Sequence, residues 1–207
     1  QMKVILVRHA QTQWNRAGMI QGQQDSPITE RGERETAALL AALKDEGYAA
    51  ECVFSSPLAR ARSMGEQLAA LFQAPLVIDA ALMEQAFGRY EGLSTQNLRA
   101  ECPAEADALF AHDAAFCPPG GESLAQAVQR MLAFLQLQHT RAAHKTLCVV
   151  CHGHVTQGLL ALLKEGSLEN FARYAQPNAS YAVLEMAEEK CEVLRWGVAT
   201  HLRTLDA

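Results

Sequence analysis

The sequence predicts an α/β fold, a three-layer α/β/α sandwich in which helices cover both faces of a mostly parallel, mixed sheet. Two observations support this fold class. Short apolar segments alternate with amphipathic helical patterns along most of the chain, and such alternation builds a parallel sheet with right-handed crossovers. The last two strand candidates are separated only by residues 187–190, which is typical of an antiparallel hairpin at the edge of a sheet.

The strand candidates are short runs rich in β-branched and aromatic residues. The run from Val4 to Val7 has no polar interruption, as expected for a strand that is buried on both faces. The predicted strands are 3–8, 52–55, 76–78, 146–151, 180–186 and 191–198.

The helices are predicted from capping residues and from apolar residues at helical spacing. Thr29 suits an N-cap and Gly47 a C-terminal end for the first helix, and Pro57 suits the start of the second. The predicted helices are 29–46, 58–72, 123–143 and one that begins near Val155.

The segment at about 94–121 carries no strand signal and contains Pro103 and the pair Pro118-Pro119. We interpret it as a small helical cap insertion over the site. The chain of 207 residues is long enough for one sizeable core, so we expect a single domain over 2–207. Gln1 precedes Met2, which resembles a natural start, and is expected to be an added residue.

Composition and charge exclude several classes of partner. The net charge is −5 and the basic residues form no run, which argues against nucleic acid. No segment approaches the roughly 18 consecutive apolar residues of a membrane span, and no signal peptide is recognisable. We therefore expect a cytoplasmic protein whose six cysteines are free thiols. Cys148 and Cys151 have CxxC spacing, but within a strand they would face opposite sides of the sheet.

Chemically active residues follow the first predicted strand directly. Arg8 and His9 stand where that strand must end, and ligand sites of open α/β sheets gather at the carboxyl ends of strands. An arginine fork fits phosphate oxygens, and a neutral histidine offers a nucleophilic nitrogen. The pair predicts phosphoryl chemistry, although a surface arginine beside a structural histidine would explain it equally well in isolation.

Further motifs occur in register with this pair. Ser55-Ser56-Pro57-Leu58-Ala59-Arg60 follows the second strand, and His152-Gly153-His154 follows the fourth. With these motifs the chain is identified as a member of the histidine phosphatase superfamily, the phosphoglycerate mutase-like enzymes. The resemblance covers nearly the whole chain and is carried by segments 8–15, 55–62, 82–92, 119–123 and 147–154.

The resemblance implies a role for most of these residues. Arg8 and Arg60 are expected to grip the phosphate, Asn15 and His152 to donate hydrogen bonds to it, and His9 to attack phosphorus. We expect the two arginines to lower the pKa of His9, and a backbone carbonyl to hold its other ring nitrogen. Further phosphate-binding contacts are expected from the residues Gln21, Gly22 and Gly153.

Glu84 is the candidate general acid, because the leaving alkoxide must be protonated. The alternative is Glu91, which we interpret as structural and expect to accept hydrogen bonds from backbone donors. A metal site built on His152 and His154 would need further ligands that the sequence does not supply at a recognisable spacing, so we expect no metal and no cofactor.

The sequence favours a phosphatase over the alternatives. A phosphoglycerate mutase needs extra cations for a second phosphate, but residues 94–121 contain Arg99 and no Lys, against several acidic residues. A non-catalytic relative that binds a phosphorylated ligand would usually lack part of the catalytic set. The length and motifs are similar to those of α-ribazole phosphatases and broad-specificity phosphatases, so the expected partner is a small phosphomonoester. A homodimer is left open.

Several residues depart from the family pattern, among them Ala10, Gln11 and the pair Gln85-Ala86. Ala10 stands where glycine is common, which would cost strain only if its φ were positive. Gln11 replaces a frequent glutamate, a change that we expect to affect specificity more than the catalytic step.

Overall fold

The computed structural model describes residues 1–206 and contains a six-stranded mixed sheet in the order β3-β2-β4-β1-β5-β6. The four strands β3, β2, β4 and β1 are parallel to one another. The strand β5 is antiparallel to both β1 and β6. Every predicted strand is present. The strands are β1 Met2–Arg8, β2 Cys52–Ser55, β3 Leu76–Ile78, β4 Thr146–Cys151, β5 Tyr181–Ala187 and β6 Lys190–Val198.

The four long helices begin within about two residues of their predicted starts, and the three whose ends were predicted also end within about two residues of them. Thr29 caps the first of them by accepting the N–H of Gly32, and Ser123 caps the third. The helices are α1 Gln13–Ala17, α2 Glu30–Asp45, α3 Ala59–Phe72, α4 Thr95–Glu101, α5 Pro103–Asp107, α6 Leu124–Arg141 and α7 Gly153–Glu165. Helix α1 was not predicted, because five residues are too few to show a helical period.

The predicted three-layer arrangement is confirmed by two apolar cores on opposite faces of the sheet. On one face α6 and α7 pack against side chains such as Leu6 and Val149, and on the other α2 and α3 pack against Ile5 and Val150. Cys151 belongs to the first core and Cys148 to the second, so the CxxC pair faces opposite sides of the sheet as predicted.

The cap insertion is helical, as predicted. It consists of α4, α5 and a π-helical turn at Ala108–His112, and it has its own small apolar cluster around Phe87, Leu98 and Leu109. Among the described residues, no helix is both long enough and apolar enough to cross a membrane.

The register of the sheet places the candidate site. Arg8 is paired with Cys151 at the carboxyl ends of the parallel strands β1 and β4. The residues that follow, His9 and His152, therefore emerge side by side at one edge of the sheet. Their ring centroids are 5.2 Å apart.

Candidate active site

A cavity of about 280 Å³ opens at this edge, between the strand ends and the cap. Most of the residues that the sequence assigned to the site line it, namely Arg8, His9, Asn15, Gln21, Gly22, Arg60, Glu84 and Gly153. His152 is the exception, because its side chain is fully buried behind His9 and does not line the cavity. The fold thus brings together residues that are far apart in the chain.

His9 is held as a neutral nucleophile would be. Its Nδ1 lies 2.7 Å from the carbonyl oxygen of Ala10, the kind of acceptor that was predicted. A carbonyl can only accept, so Nδ1 carries the proton and the lone pair is on Nε2. Burial lowers the pKa of His9 well below 6.5, and the charges of Arg60 and Arg8 lower it further. Burial rather than the arginines is the larger cause.

His152 is also buried and neutral. Burial lowers its pKa well below 6.5, and the charges of Arg60 and Arg8 act in the same direction. Its Nε2 lies 2.9 Å from Oγ of Ser56. Its Nδ1 is buried and has no hydrogen-bond partner within residues 1–206.

Arg8 packs against the first turn of α7. An added Cβ on Gly153 would lie only 2.7 Å from Cζ of Arg8, so this position requires a glycine. One terminal nitrogen of Arg8 donates to the carbonyl of Gln176, whereas its Nε is buried without a partner in the described part of the chain. The guanidinium, which lines the cavity, therefore keeps an N–H group that is unpaired within residues 1–206.

Arg60 connects α3 to the loop that follows α1. Its terminal nitrogens donate to the carbonyls of Gly22 and Gln24 and to Oδ1 of Asp25, the last at 2.9 Å. Asp25 also accepts the N–H of Ala59 at 2.8 Å, so it caps α3 from outside the helix. The Arg60 side chain is only 1% exposed, and its Nε has no partner among the described residues.

The loop after β1 is organised by a capping box in which Thr12 and Asn15 bond each other's backbone. Oδ1 of Asn15 accepts the N–H of Thr12 at 3.0 Å and a side-chain N–H of Asn178 at 3.2 Å. The amide nitrogen of Asn15 is therefore the part that can donate to a ligand. Asn178, which sequence reasoning missed, also donates to the carbonyl of His9.

Gln21 is fixed through its side-chain oxygen, which accepts the hydroxyls of Thr12 and Ser26. Gln21 lines the cavity, and the two bonds leave its side-chain NH₂ group uninvolved.

Glu84 lines the cavity together with His9 and lies at the N-terminus of α7. Its Oε1 accepts the N–H groups of Gln85 at 2.9 Å and Val155 at 2.8 Å, and its Oε2 accepts that of His154 at 2.8 Å. The carboxylate is thus oriented by three backbone donors, two of them in the first turn of the helix that follows His152.

The backbone around Glu84 is fixed by Arg130 of α6, which sequence reasoning also missed. Arg130 donates to the carbonyls of Ala81, Met83 and Glu84 at 2.7–2.9 Å and to Oε1 of Glu122 at 2.5 Å. Glu122 lies in the segment 119–123 that the sequence singled out, but only the fold shows that it serves the Glu84 segment.

Glu91 accepts backbone N–H groups, as predicted. Its Oε2 is 2.9 Å from the nitrogen of Phe87 and 3.1 Å from that of Gln23. An added Cβ on Gly22, whose φ is +55°, would lie 2.2 Å from this oxygen. Glu91 thus links the backbone of Gln23 to that of Phe87, and it does not line the cavity.

Apolar side chains also line the cavity. They belong to Met19, Ile20, Phe87 and Phe110, and His154 lines it as well, with its Nδ1 2.7 Å from the side-chain oxygen of Gln85. Burial lowers the pKa of His154. No cluster of three or more potential metal ligands occurs in the described chain.

The departures from the family pattern at Ala10 and Gln11 are accommodated. Ala10 is not among the described residues with positive φ, so it carries no strain of that kind. The side-chain oxygen of Gln11 accepts the hydroxyl of Thr29, and its backbone N–H donates to the buried Glu35 at 2.8 Å. Gln11 therefore faces α2 and not the cavity.

Comparison with known proteins agrees with this geometry. The family model for the histidine phosphatase superfamily (branch 1) matches residues 4–199. The chain belongs to this superfamily. Its predicted membership is thereby confirmed.

Relatives within the superfamily carry different names. The histidine phosphatase described here is 28% identical to phosphoserine phosphatase 1 of Hydrogenobacter thermophilus, over 97% of this chain and 94% of the relative. It is 29% identical to a 2,3-bisphosphoglycerate-dependent phosphoglycerate mutase of Xanthobacter autotrophicus, over 90% and 92%. Among solved structures, Bacillus stearothermophilus YhfR superposes with a TM-score of 0.89 at 27% identity, over 98% of this chain and 100% of that one.

Proposed function

We propose that this histidine phosphatase hydrolyses small phosphomonoesters without a metal, through a phosphohistidine on His9. The observation that carries the proposal is the hydrogen bond between Nδ1 of His9 and the carbonyl of Ala10, which leaves the Nε2 lone pair for attack on phosphorus. The low pKa of His9 supports it, because a protonated ring has no lone pair to give.

In the first step, Nε2 of His9 forms a bond to phosphorus while the bond from phosphorus to the leaving oxygen breaks. The electron pair of that bond stays on the leaving oxygen, which takes a proton from Glu84. In the second step, the oxygen of a water molecule forms a bond to phosphorus while the bond from phosphorus to Nε2 breaks and its electron pair returns to Nε2. The water gives a proton back to Glu84, and inorganic phosphate is released. His9 and Glu84 return to their starting states, so neither a cofactor nor an oxidant is required.

We assign the proton of Glu84 to Oε2. Oε1 already accepts two backbone N–H groups, whereas Oε2 accepts one and keeps a lone pair for a further hydrogen.

The phosphoryl group is proposed to be held by donors that the folded chain leaves free. These are Nε of Arg8, Nε of Arg60, the side-chain nitrogen of Asn15 and Nδ1 of His152. Fixed donors of this kind stabilise the charge of the transition state without reorganising at the moment of reaction. Gln21, Gly22 and Gly153 are proposed to add contacts at the rim of the phosphate site.

The cations of the cavity favour hydrolysis over mutase activity. Of the residues that line it, only Arg8 and Arg60 carry a permanent positive charge, and both stand at the phosphoryl end. Arg99, the arginine of the cap, stacks over the ring of Phe110 at 5.2 Å and does not line the cavity. A second phosphate would therefore meet an apolar wall without a cation.

The decisive experiment is hydrolysis of p-nitrophenyl phosphate in EDTA by the wild-type chain and by His9→Ala. We expect turnover in the wild type, none in the variant, and a phosphohistidine on the wild type after rapid acid quenching. Residual turnover in the variant would contradict the assignment of His9, and loss of activity in EDTA would contradict metal independence.

A substrate series and a coupled assay complete the test. Because relatives are named for phosphoserine and phosphoglycerate, we propose to begin with phosphoserine, 3-phosphoglycerate and α-ribazole phosphate. Transfer from 2,3-bisphosphoglycerate to a phosphoglycerate, seen by coupling to enolase, would support a mutase instead. Phosphate binding without turnover of any ester would support a non-catalytic binding protein.

A further inference from the structure

Ser56 has the contacts of a residue that controls His152. It follows β2 directly, its side chain is fully buried, and its Oγ accepts the backbone N–H of Leu58 at 3.2 Å. The same Oγ lies 2.9 Å from Nε2 of His152. Within residues 1–206 these are the hydrogen-bond partners of the hydroxyl.

The hydrogen bonds of the Ser56 hydroxyl determine which ring nitrogen of His152 carries the hydrogen. One lone pair of Oγ is used by the N–H of Leu58, and the hydroxyl hydrogen needs an acceptor in a place that water does not reach. Nε2 of His152 is the acceptor within hydrogen-bond distance of Oγ. If Nε2 instead carried a hydrogen, the hydroxyl hydrogen of Ser56 would be left without a partner.

The other side of the ring leads to the same assignment. Nδ1 of His152 is buried without a partner in the described chain, and the ring centroid is 5.2 Å from that of His9. A bare lone pair on Nδ1 would repel the oxygens of a phosphoryl group on His9, whereas an N–H there would bond one of them. The neutral ring carries one N–H hydrogen, on either Nδ1 or Nε2. His152 can donate to the phosphoryl group from Nδ1 only if that nitrogen carries the hydrogen.

We propose that Ser56 is a positioning residue that fixes His152 as the Nδ1–H tautomer, so that Nδ1 donates to the transferring phosphoryl group. The role of the donated hydrogen rests on the proposed function. The tautomer itself is a property of the ligand-free protein and can be tested without any turnover.

The test is NMR of the ligand-free protein labelled with ¹⁵N-histidine, in which protonated and bare ring nitrogens give well-separated signals. The signals of His152 are assigned by their loss in His152→Asn. We expect Nδ1 of His152 to carry the hydrogen and Nε2 to be bare. A hydrogen on Nε2 would overturn the proposal, whether or not the protein hydrolyses phosphate esters.

A pair of variants tests the role of Ser56. In Ser56→Ala we expect the ¹⁵N signals of His152 to shift toward a mixture of tautomers and kcat/KM for p-nitrophenyl phosphate to fall about tenfold, the size expected for one hydrogen bond. Ser55→Ala is the matched control, since it removes a fully buried neighbouring hydroxyl whose one partner within residues 1–206 is the carbonyl of Ser56. Equal effects in both variants, or an unchanged tautomer in Ser56→Ala, would show that Ser56 is merely structural.

Discussion

Replacing Glu84 by Gln tests the proposed acid most directly, because the change keeps the shape of the side chain and removes its ability to lose and regain a proton. The structure allows the cost to folding to be stated in advance. If the amide oxygen takes the place of Oε1, it keeps the two bonds from Gln85 and Val155. The amide nitrogen then takes the place of Oε2 and meets the N–H of His154, so two donors face each other.

One lost and unreplaced hydrogen bond in a buried place costs about 1–3 kcal/mol. Glu84 is 7% exposed, so the upper part of that range applies, and the variant is still expected to fold. The effect on catalysis should be larger, because a positioned general acid contributes roughly 10²–10⁴-fold to the rate.

The assay compares two substrates that differ in their leaving group. Nitrophenolate is a stable leaving group and needs little protonation, whereas the alkoxide of phosphoserine or another alkyl phosphate needs full protonation. We therefore expect kcat of Glu84→Gln to fall much further on alkyl phosphates than on p-nitrophenyl phosphate. Urea unfolding of both proteins separates this effect from any loss of folded enzyme.

Glu91→Gln is the matched control, because Glu91 also bonds backbone donors but does not line the cavity. We expect it to lower stability without changing the ratio of the two substrates. Equal losses on both substrates in Glu84→Gln would refute the reasoning. An inactive Glu91→Gln beside an active Glu84→Gln would give the acid role to Glu91.

Two further predictions concern the groups around the site. Arg130→Met should lower the free energy of unfolding by about 2–3 kcal/mol and slow alkyl phosphate hydrolysis at least tenfold. The reason is that three carbonyls lose their donor and the Glu84 segment is no longer fixed. Arg62→Met is the control, because that arginine side chain is 55% exposed, and it should change neither quantity in the same urea and rate measurements. The pKa values of His9 and His152 are lower in the folded protein than in the unfolded chain, so the unfolded chain binds more protons below pH 6.5. The free energy of unfolding should therefore decrease as the pH is lowered below 6.5, with a slope of about 1.4 kcal/mol per pH unit for each histidine. His9→Asn should reduce that slope in urea titrations, and an unchanged slope would contradict the assignment.

The strands and the placement of His9 beside His152 could be predicted because their signals are local. An uninterrupted apolar run specifies β1, and polar residues that follow a buried strand directly can only emerge at its carboxyl end. The pairing of Arg8 with Cys151 then brings His9 and His152 together without any further information. The carbonyl on Nδ1 of His9 was also predictable, since a neutral histidine in this role needs such an acceptor.

The supporting bonds could not be predicted, because they join segments that only the tertiary fold brings together. Arg130 is an ordinary polar position on an amphipathic helix until α6 packs beside residues 81–86. Asn178 and Asp25 likewise lie in loops with no motif, yet they hold the His9 carbonyl and the start of α3. The short helix α1 was not predicted, because it is marked by a capping box and not by a helical period of apolar residues.

The two arginines explain how one site can hold neutral histidines and still bind a dianion. Their terminal nitrogens are bonded to backbone carbonyls, Arg8 to that of Gln176 and Arg60 to those of Gly22 and Gln24. Their positive charges are therefore fixed by the protein before a ligand arrives, and they disfavour a further charge on the histidine rings. A phosphoryl group entering the cavity meets oriented positive charge and neutral donors, so little of the binding energy is needed to rearrange the site. Burial and the arginine charges together keep His9 unprotonated, and in the proposed mechanism the same charges stabilise the phosphoryl group that His9 attacks.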